Sequence, residues 1–233
     1  NNNLDPTPVD NSVKDNGSKL KPILLGLLAL AVLGGIVYGA TQTQNKNESG
    51  VVKLTPEERT SFEQQVKDLQ TKAGVLKEDA DAGSRYQVFM NLADAQYNLG
   101  NYQDAKLSLE KITAQNADNV RVWILYAKVN NQLGNKEATM SSIELAVDLD
   151  KENAKTWQEY IKLSEKDETP ERIKELYTEG IRATRNNIDL VTGYAEWLED
   201  NNDKTGAIEQ WRKAGEVNPE KKAEYDERIK KLE

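Results

Sequence analysis

Residues 86–119 read YQVFMNLADAQYNLGNYQDAKLSLEKITAQNADN and residues 120–153 read VRVWILYAKVNNQLGNKEATMSSIELAVDLDKEN. Laid one over the other, they bring Gly100-Asn101 onto Gly134-Asn135. The same step of 34 residues then continues without a gap, from Trp123 to Trp157, from Tyr126 to Tyr160 and Tyr194, and from Ala146 to Gly180 and Ala214. The repeating units are therefore 86–119, 120–153, 154–187 and 188–221. Each holds two stretches of helical apolar periodicity parted by a short polar break: Gly100-Asn101, Gly134-Asn135, Asp167 to Pro170, and Asn201 to Asp203. A helical hairpin of this kind has apolar sides too extensive to satisfy alone, so each copy has to stack on the next. The repeat predicts an all-α solenoid of about four helix-hairpin units rather than a closed globule.

The flanks read differently. Thr55-Pro56-Glu57-Glu58 opens a helix with Thr as the cap, Pro at the first helical position and Glu58 closing a capping box. Across 55–82, Phe62, Val66, Leu69, Ala73 and Leu76 form one sticky stripe, which caps the first unit or meets a partner. At the other end, Asn218-Pro219 starts a last helix over 222–233, where Tyr225, Ile229 and Leu232 share a face and charge covers the rest. A polar outer face is what the end of a stack of repeats requires.

Residues 1–21 are rich in Asn, Asp, Ser and Pro and cannot offset the entropy of ordering, so they read as a disordered tail. The chain opens on Asn1 rather than Met, as a fragment does. Residues 22–41 read as a transmembrane helix, because Ile23 to Ala40 is apolar throughout and spans ~27 Å as a helix, the thickness of a bilayer core. A cleaved secretory signal is the competing reading, since Lys19 and Lys21 precede the run. The run lacks a small-x-small cleavage site, Tyr38 standing two before Ala40, which favours a retained signal anchor. Lys14, Lys19 and Lys21 before the span against Lys46 and Lys53 after it put the N-terminus in the cytoplasm and the repeats outside, on a single-pass cell-membrane protein. Ala31, Gly35 and Gly39 form a small-residue stripe that admits weak homo-oligomerisation through the span. Residues 42–54 are a polar linker.

Composition narrows the function. The chain has no histidine and no cysteine, which removes imidazole bases, thiolate nucleophiles and the usual zinc, haem and iron–sulfur ligands. A net charge of -8 leaves no global attraction for nucleic acid. No phosphate-cradling glycine loop, nucleophile elbow or calcium-loop spacing occurs, and paired carboxylates such as Asp148/Asp150 are what a charged helix surface produces anyway. No catalytic residue, cofactor or metal site is expected, and the protein is expected not to be an enzyme.

These units resemble the tetratricopeptide-repeat family. Phe89, Leu92, Ala93, Gly100, Tyr102, Ala105 and Ile112 stand at the family's fixed positions in the first unit, and Trp123, Tyr126, Ala127, Gly134 and Ala146 in the second. The fourth unit contributes Tyr194, Ala195, Ala207, Trp211, Ala214 and Pro219. The third diverges most: Trp157, Tyr160, Tyr177 and Gly180 fit, but Glu168 replaces the turn glycine and Ile173 the small residue of the second helix. The resemblance implies a right-handed superhelix, with the aromatics as core rather than as a ligand box.

It also implies a concave groove lined by the first helix of each unit, which here carries Met90, Asp94, Tyr97, Arg121, Lys128, Asn131, Lys155, Lys162 and Glu196 among others. Arg121, Lys128, Lys155 and Lys162 are candidates for attracting an acidic segment or C-terminal carboxylate of a partner, with Tyr97 and Asn131 hydrogen-bonding its backbone. The family's carboxylate clamp for chaperone tails needs Lys and Asn where this chain has Met90 and Asp94, and Arg where it has Glu159, so that specialisation is not implied. The expected function is a membrane-anchored adaptor or assembly factor presenting its groove to peptide or protein partners. The alternative is a permanent structural subunit of a larger bacterial envelope complex, as similar single-span repeat proteins are.

Overall fold

The computed structural model describes residues 53–76 and 80–233. The expected tail at 1–21, the transmembrane segment at 22–41 with its Ala31, Gly35 and Gly39 stripe, and nearly all of the 42–54 linker lie outside the described residues. Among the described residues no helix is long and apolar enough to cross a membrane.

Ten α-helices make up the described fold: α1 (Pro56–Val75), α2 (Ala82–Asn98), α3 (Tyr102–Glu110), α4 (Val120–Gln132), α5 (Lys136–Leu149), α6 (Ala154–Ser164), α7 (Pro170–Ala183), α8 (Ile188–Asp200), α9 (Lys204–Val217) and α10 (Lys222–Leu232). They pair as hairpins α2/α3, α4/α5, α6/α7 and α8/α9, and each helix packs on the one before it in the chain. First helices also meet directly, α2 on α4, α4 on α6 and α6 on α8. At the ends, α1 buries Phe62 and Leu69 and packs on α2, while α10 buries Tyr225 and Ile229 and packs on α9. The α1 stripe is thus spent on the first repeat.

The core shows why single hairpins are incomplete. One buried cluster gathers Met90, Ala93, Ala105, Leu109, Ile112, Val122, Leu125 and Val129. A second runs from Ala127 and Ile143 through Trp157, Tyr160, Leu176 and Leu190 to Trp211 and Ile229. Helix α4 serves both, because Val122, Leu125 and Val129 project into the first cluster while Ala127 lies in the second and Trp123 and Ile124 pack against it. Small residues set the closest approaches: Ala93, Ala105, Ala127, Ala146, Ala195, Ala207 and Ala214 are fully buried.

Local chemistry repeats with the same step. Asn119, Asn153 and Asn187 cap α4, α6 and α8, each side chain accepting the N–H two residues on at 3.1, 3.0 and 3.0 Å. Trp123 and Trp157 donate their indole N–H to the Ala117 and Lys151 carbonyls, both at 2.8 Å. The turn inside three of the four hairpins uses a left-handed residue: Gly100 has φ +82°, Gly134 φ +75° and Asn202, the equivalent position of the fourth unit, φ +61°. Glu168 is the exception and has no positive φ; there the Asp167 and Glu168 N–H groups both donate to the Ser164 carbonyl, and Thr169-Pro170 restarts the helix.

A prediction follows from that difference. A Cβ at Gly134 would meet nothing within 4 Å, so Gly134→Ala loses only backbone ease and should cost about 1–2 kcal/mol. Glu168→Gly should bring no gain and lose roughly 0.5–1 kcal/mol through chain entropy. Urea denaturation of both variants would check the contrast, and equal effects would contradict this account of the turns.

Candidate functional site

All six candidate residues fall on first helices. Tyr97 ends α2, Arg121 opens α4 with Lys128 and Asn131 further along it, and Lys155 and Lys162 lie two turns apart on α6. Spacings of seven residues put Arg121 with Lys128, and Lys155 with Lys162, on common helix faces.

The structure divides the four cations into two pairs. The Arg121 guanidinium donates to the Asp94 carboxylate, bridging α4 to α2. Lys128 Nζ donates to Glu159 Oε1 at 3.1 Å, bridging α4 to α6 in a half-buried setting. Burial pushes the Asp94 carboxyl above its ordinary range, against the pull of Arg121 and Lys128. These two cations therefore hold the hairpins together as well as colouring the surface. Lys155 and Lys162 are exposed and have no ion-pair partner among the described residues. Glu159, between them on α6, keeps its second carboxylate oxygen buried with no hydrogen bond among the described residues.

Tyr97 is half-buried with its ring centroid 5.5 Å from that of Tyr102, tilted by 57°. Asn131 is half-buried, and its carbonyl accepts the Gly134 N–H at 3.1 Å. Met90, expected on the groove, is 1% exposed and belongs to the first core cluster, so the groove at the first unit is formed by Asp94 and Tyr97 without it. Farther along the same side, Arg228 of α10 reaches Glu196 at 3.3 Å and Glu199 at 3.7 Å and lies 4.7 Å over the Trp211 ring. The acidic end is thus partly neutralised by the terminal helix, while the α6 lysines are left available. Sequence reasoning passed over Glu159 as an acceptor and Arg228 as a counter-charge, because both act across helices.

Among the described residues no group of three or more acidic side chains is placed to hold a metal ion. The tetratricopeptide-repeat family matches residues 86–119 and 120–153. The chain carries tetratricopeptide repeats. Solved structures share the tetratricopeptide-like helical array: a crystal structure of MamA is 17% identical with a TM-score of 0.54, covering 75% of this chain and 100% of that one. The "41-end" form of MamA from Desulfovibrio magneticus RS-1 is 19% identical with a TM-score of 0.52, covering 70% of this chain and 88% of that one. No curated protein matches the chain in sequence.

Proposed function

We propose that this tetratricopeptide-repeat chain is a membrane-anchored scaffold that gathers polypeptide partners with acidic segments along its first-helix face. The observation that carries the reading is the pair of exposed lysines on α6, Lys155 and Lys162, which have no ion-pair partner among the described residues, beside the half-buried Lys128–Glu159 bridge. Direct packing of α2, α4, α6 and α8 on one another favours a superhelix with the first helices on its inner side. A partner strand lying there would meet Asp94–Arg121 first, then the cationic stretch, with Tyr97 and Asn131 near the ends of their helices. The apolar segment at 22–41, inserted with the N-terminus in the cytoplasm, would hold this face outside the cell membrane and raise its effective concentration for membrane or secreted clients.

Reversing Lys155 and Lys162 to glutamate should weaken capture of acidic partners about tenfold, or ~1.4 kcal/mol, and flatten the dependence on salt. Adding reversal of Arg121 and Lys128 should also lower stability, since each bridges two helices. Co-purification from detergent extracts at matched ionic strength measures the first effect; if the Lys155/Lys162 variant brings down the same partners at the same salt as wild type, this binding face is the wrong one.

A further inference from the structure

Each pair of neighbouring hairpins sets a tyrosine of a first helix against the preceding second helix, so every such cleft is a control for the others. At α3, the Tyr126 hydroxyl donates to Glu110 Oε1 at 3.4 Å. One repeat on, at α5, the Tyr160 hydroxyl donates to Glu144 Oε1 at 2.9 Å. At α7 the tyrosine is Tyr194 and the carboxylate is gone. Its position is Thr178, whose hydroxyl gives its proton to the Lys174 carbonyl at 2.8 Å. Among the described residues no carboxylate accepts from Tyr194.

The surrounding charge inverts with it. Stepping 34 residues from the α5 cleft to the α7 cleft turns Asp148 into Arg182, Glu152 into Asn186 and Glu179 into Lys213, while cationic Lys151 becomes Arg185. Two of these acids are answered from within the α5 cleft, since the Arg172 guanidinium lies 3.8 Å from Glu179 and Lys151 lies 3.2 Å from Asp148. The α7 cleft has no such internal answer. Thr178, Arg182, Arg185, Asn186, Tyr194 and Lys213 line an open depression of about 370 Å³ between α7 and α9, and no carboxylate lines it. Arg185 reaches out to Glu152 at 2.9 Å, but Arg182 and Lys213 have no ion-pair partner among the described residues. Of the acids whose charge Tyr194 feels, Asp203 is held by Lys174 at 2.7 Å, and Glu209 stands outside the lining. Arg185 and Asn186, at the mouth, both carry left-handed backbone, φ +56° and +64°, a conformation that their counterparts Lys151 and Glu152 do not adopt.

We propose that the cleft between α7 and α9 binds a carboxylate side chain of an acidic polypeptide, gripped by Arg182 and Lys213 with the Tyr194 hydroxyl donating to it. The occupant is identified by what fills the same point in the two preceding clefts, a glutamate carboxylate accepting from the tyrosine. Here that group has to come from another chain, and a guanidinium can meet it with two parallel N–H donors. Its cations come from the second helices α7 and α9, with only Tyr194 from a first helix, whereas Lys155 and Lys162 lie on the first helix α6.

The test is anisotropy of a fluorescein-labelled hexaglutamate peptide titrated at low ionic strength into the full chain in non-ionic detergent. Arg182→Glu/Lys213→Glu should weaken binding tenfold or more. Thr178→Glu, which returns the missing carboxylate to its own tyrosine, should weaken binding comparably while raising the melting temperature. The Lys155→Glu/Lys162→Glu variant should keep the component that depends on Arg182. Inorganic phosphate at the same molar concentration should not displace the peptide; displacement would assign the cleft to a free oxyanion and overturn the polypeptide assignment. Binding unchanged in both cleft variants, or lost only with Lys155 and Lys162, would overturn the cleft and leave the other face standing.

Discussion

Trp157→Ala is expected to cost about 3–5 kcal/mol of folding free energy. The indole is 6% exposed, donates to the Lys151 carbonyl at 2.8 Å, and packs against both the Gly180 backbone of α7 and the Tyr160 ring, whose centroid is 6.3 Å away. Its removal opens a cavity where α6 meets α7 and leaves a carbonyl without its donor. Trp123 makes the same indole bond but is only half-buried, so Trp123→Ala should cost less. The neighbour supplies a sharper test. A Cβ on Gly180 would come within 3.1 Å of the Trp157 ring, which accounts for glycine where the second and fourth units have Ala146 and Ala214. Gly180→Ala should therefore destabilise the wild type by overpacking, yet stabilise the Trp157→Ala protein by up to ~1 kcal/mol, the helix propensity of alanine over glycine. Denaturant titration of the four proteins closes the cycle; the same sign for Gly180→Ala in both backgrounds would mean that the two side chains do not share this space.

That cycle also shows which parts of the molecule were legible in the sequence. The steps from Trp123 to Trp157 and from Ala146 to Gly180 and Ala214 are visible because successive repeats see the same neighbours, so the position that must be small in the second unit is small in the third and fourth. Gly100 and Gly134 announce their turns for the same reason, and Asn202 takes their place with a side chain that tolerates the left-handed region. The Asn119, Asn153 and Asn187 caps carry the same step and could have been used to place the helix starts. What did not show were contacts whose partners are set by how neighbouring hairpins lie. Arg121 meets Asp94 27 residues back, whereas the residue 27 back from Lys155 is Lys128, of the same charge, and Lys128 bridges to Glu159. Periodicity assigns these side chains to a face, but the partner depends on the approach of two helices and on the charge of each. Met90 is a similar case: its position marks a groove, yet an unbranched apolar side chain gains more by joining Val122 and Leu125 in the core.

Alkali should unfold this protein through its tyrosines, and Tyr160 gives the clearest measure. Burial first, and then the hydrogen bond to Glu144, push its phenol up to about 12, while burial together with the charges of Glu165, Glu196 and Asp200 also pushes Tyr177 upward. In the unfolded chain a tyrosine ionises near pH ~10. Between that value and about 12 the unfolded chain has released a proton that the folded chain still holds, so the stability linked to Tyr160 is complete below pH ~10 and falls as pH rises. A displacement of about two units corresponds to roughly 2–3 kcal/mol lost by pH ~12. Tyr160→Phe removes both the proton and the bond to Glu144. It should be less stable than wild type at neutral pH by ~1 kcal/mol, but should lose less on going to pH ~12, so that the two stability curves converge or cross. Lysine deprotonation in the same range is common to both proteins and cancels in the difference. Parallel curves from urea melts across this interval would mean that the Tyr160 hydroxyl ionises in the folded protein as freely as in the unfolded chain, and that its burial between α5 and α6 is not what the packing of these repeats implies.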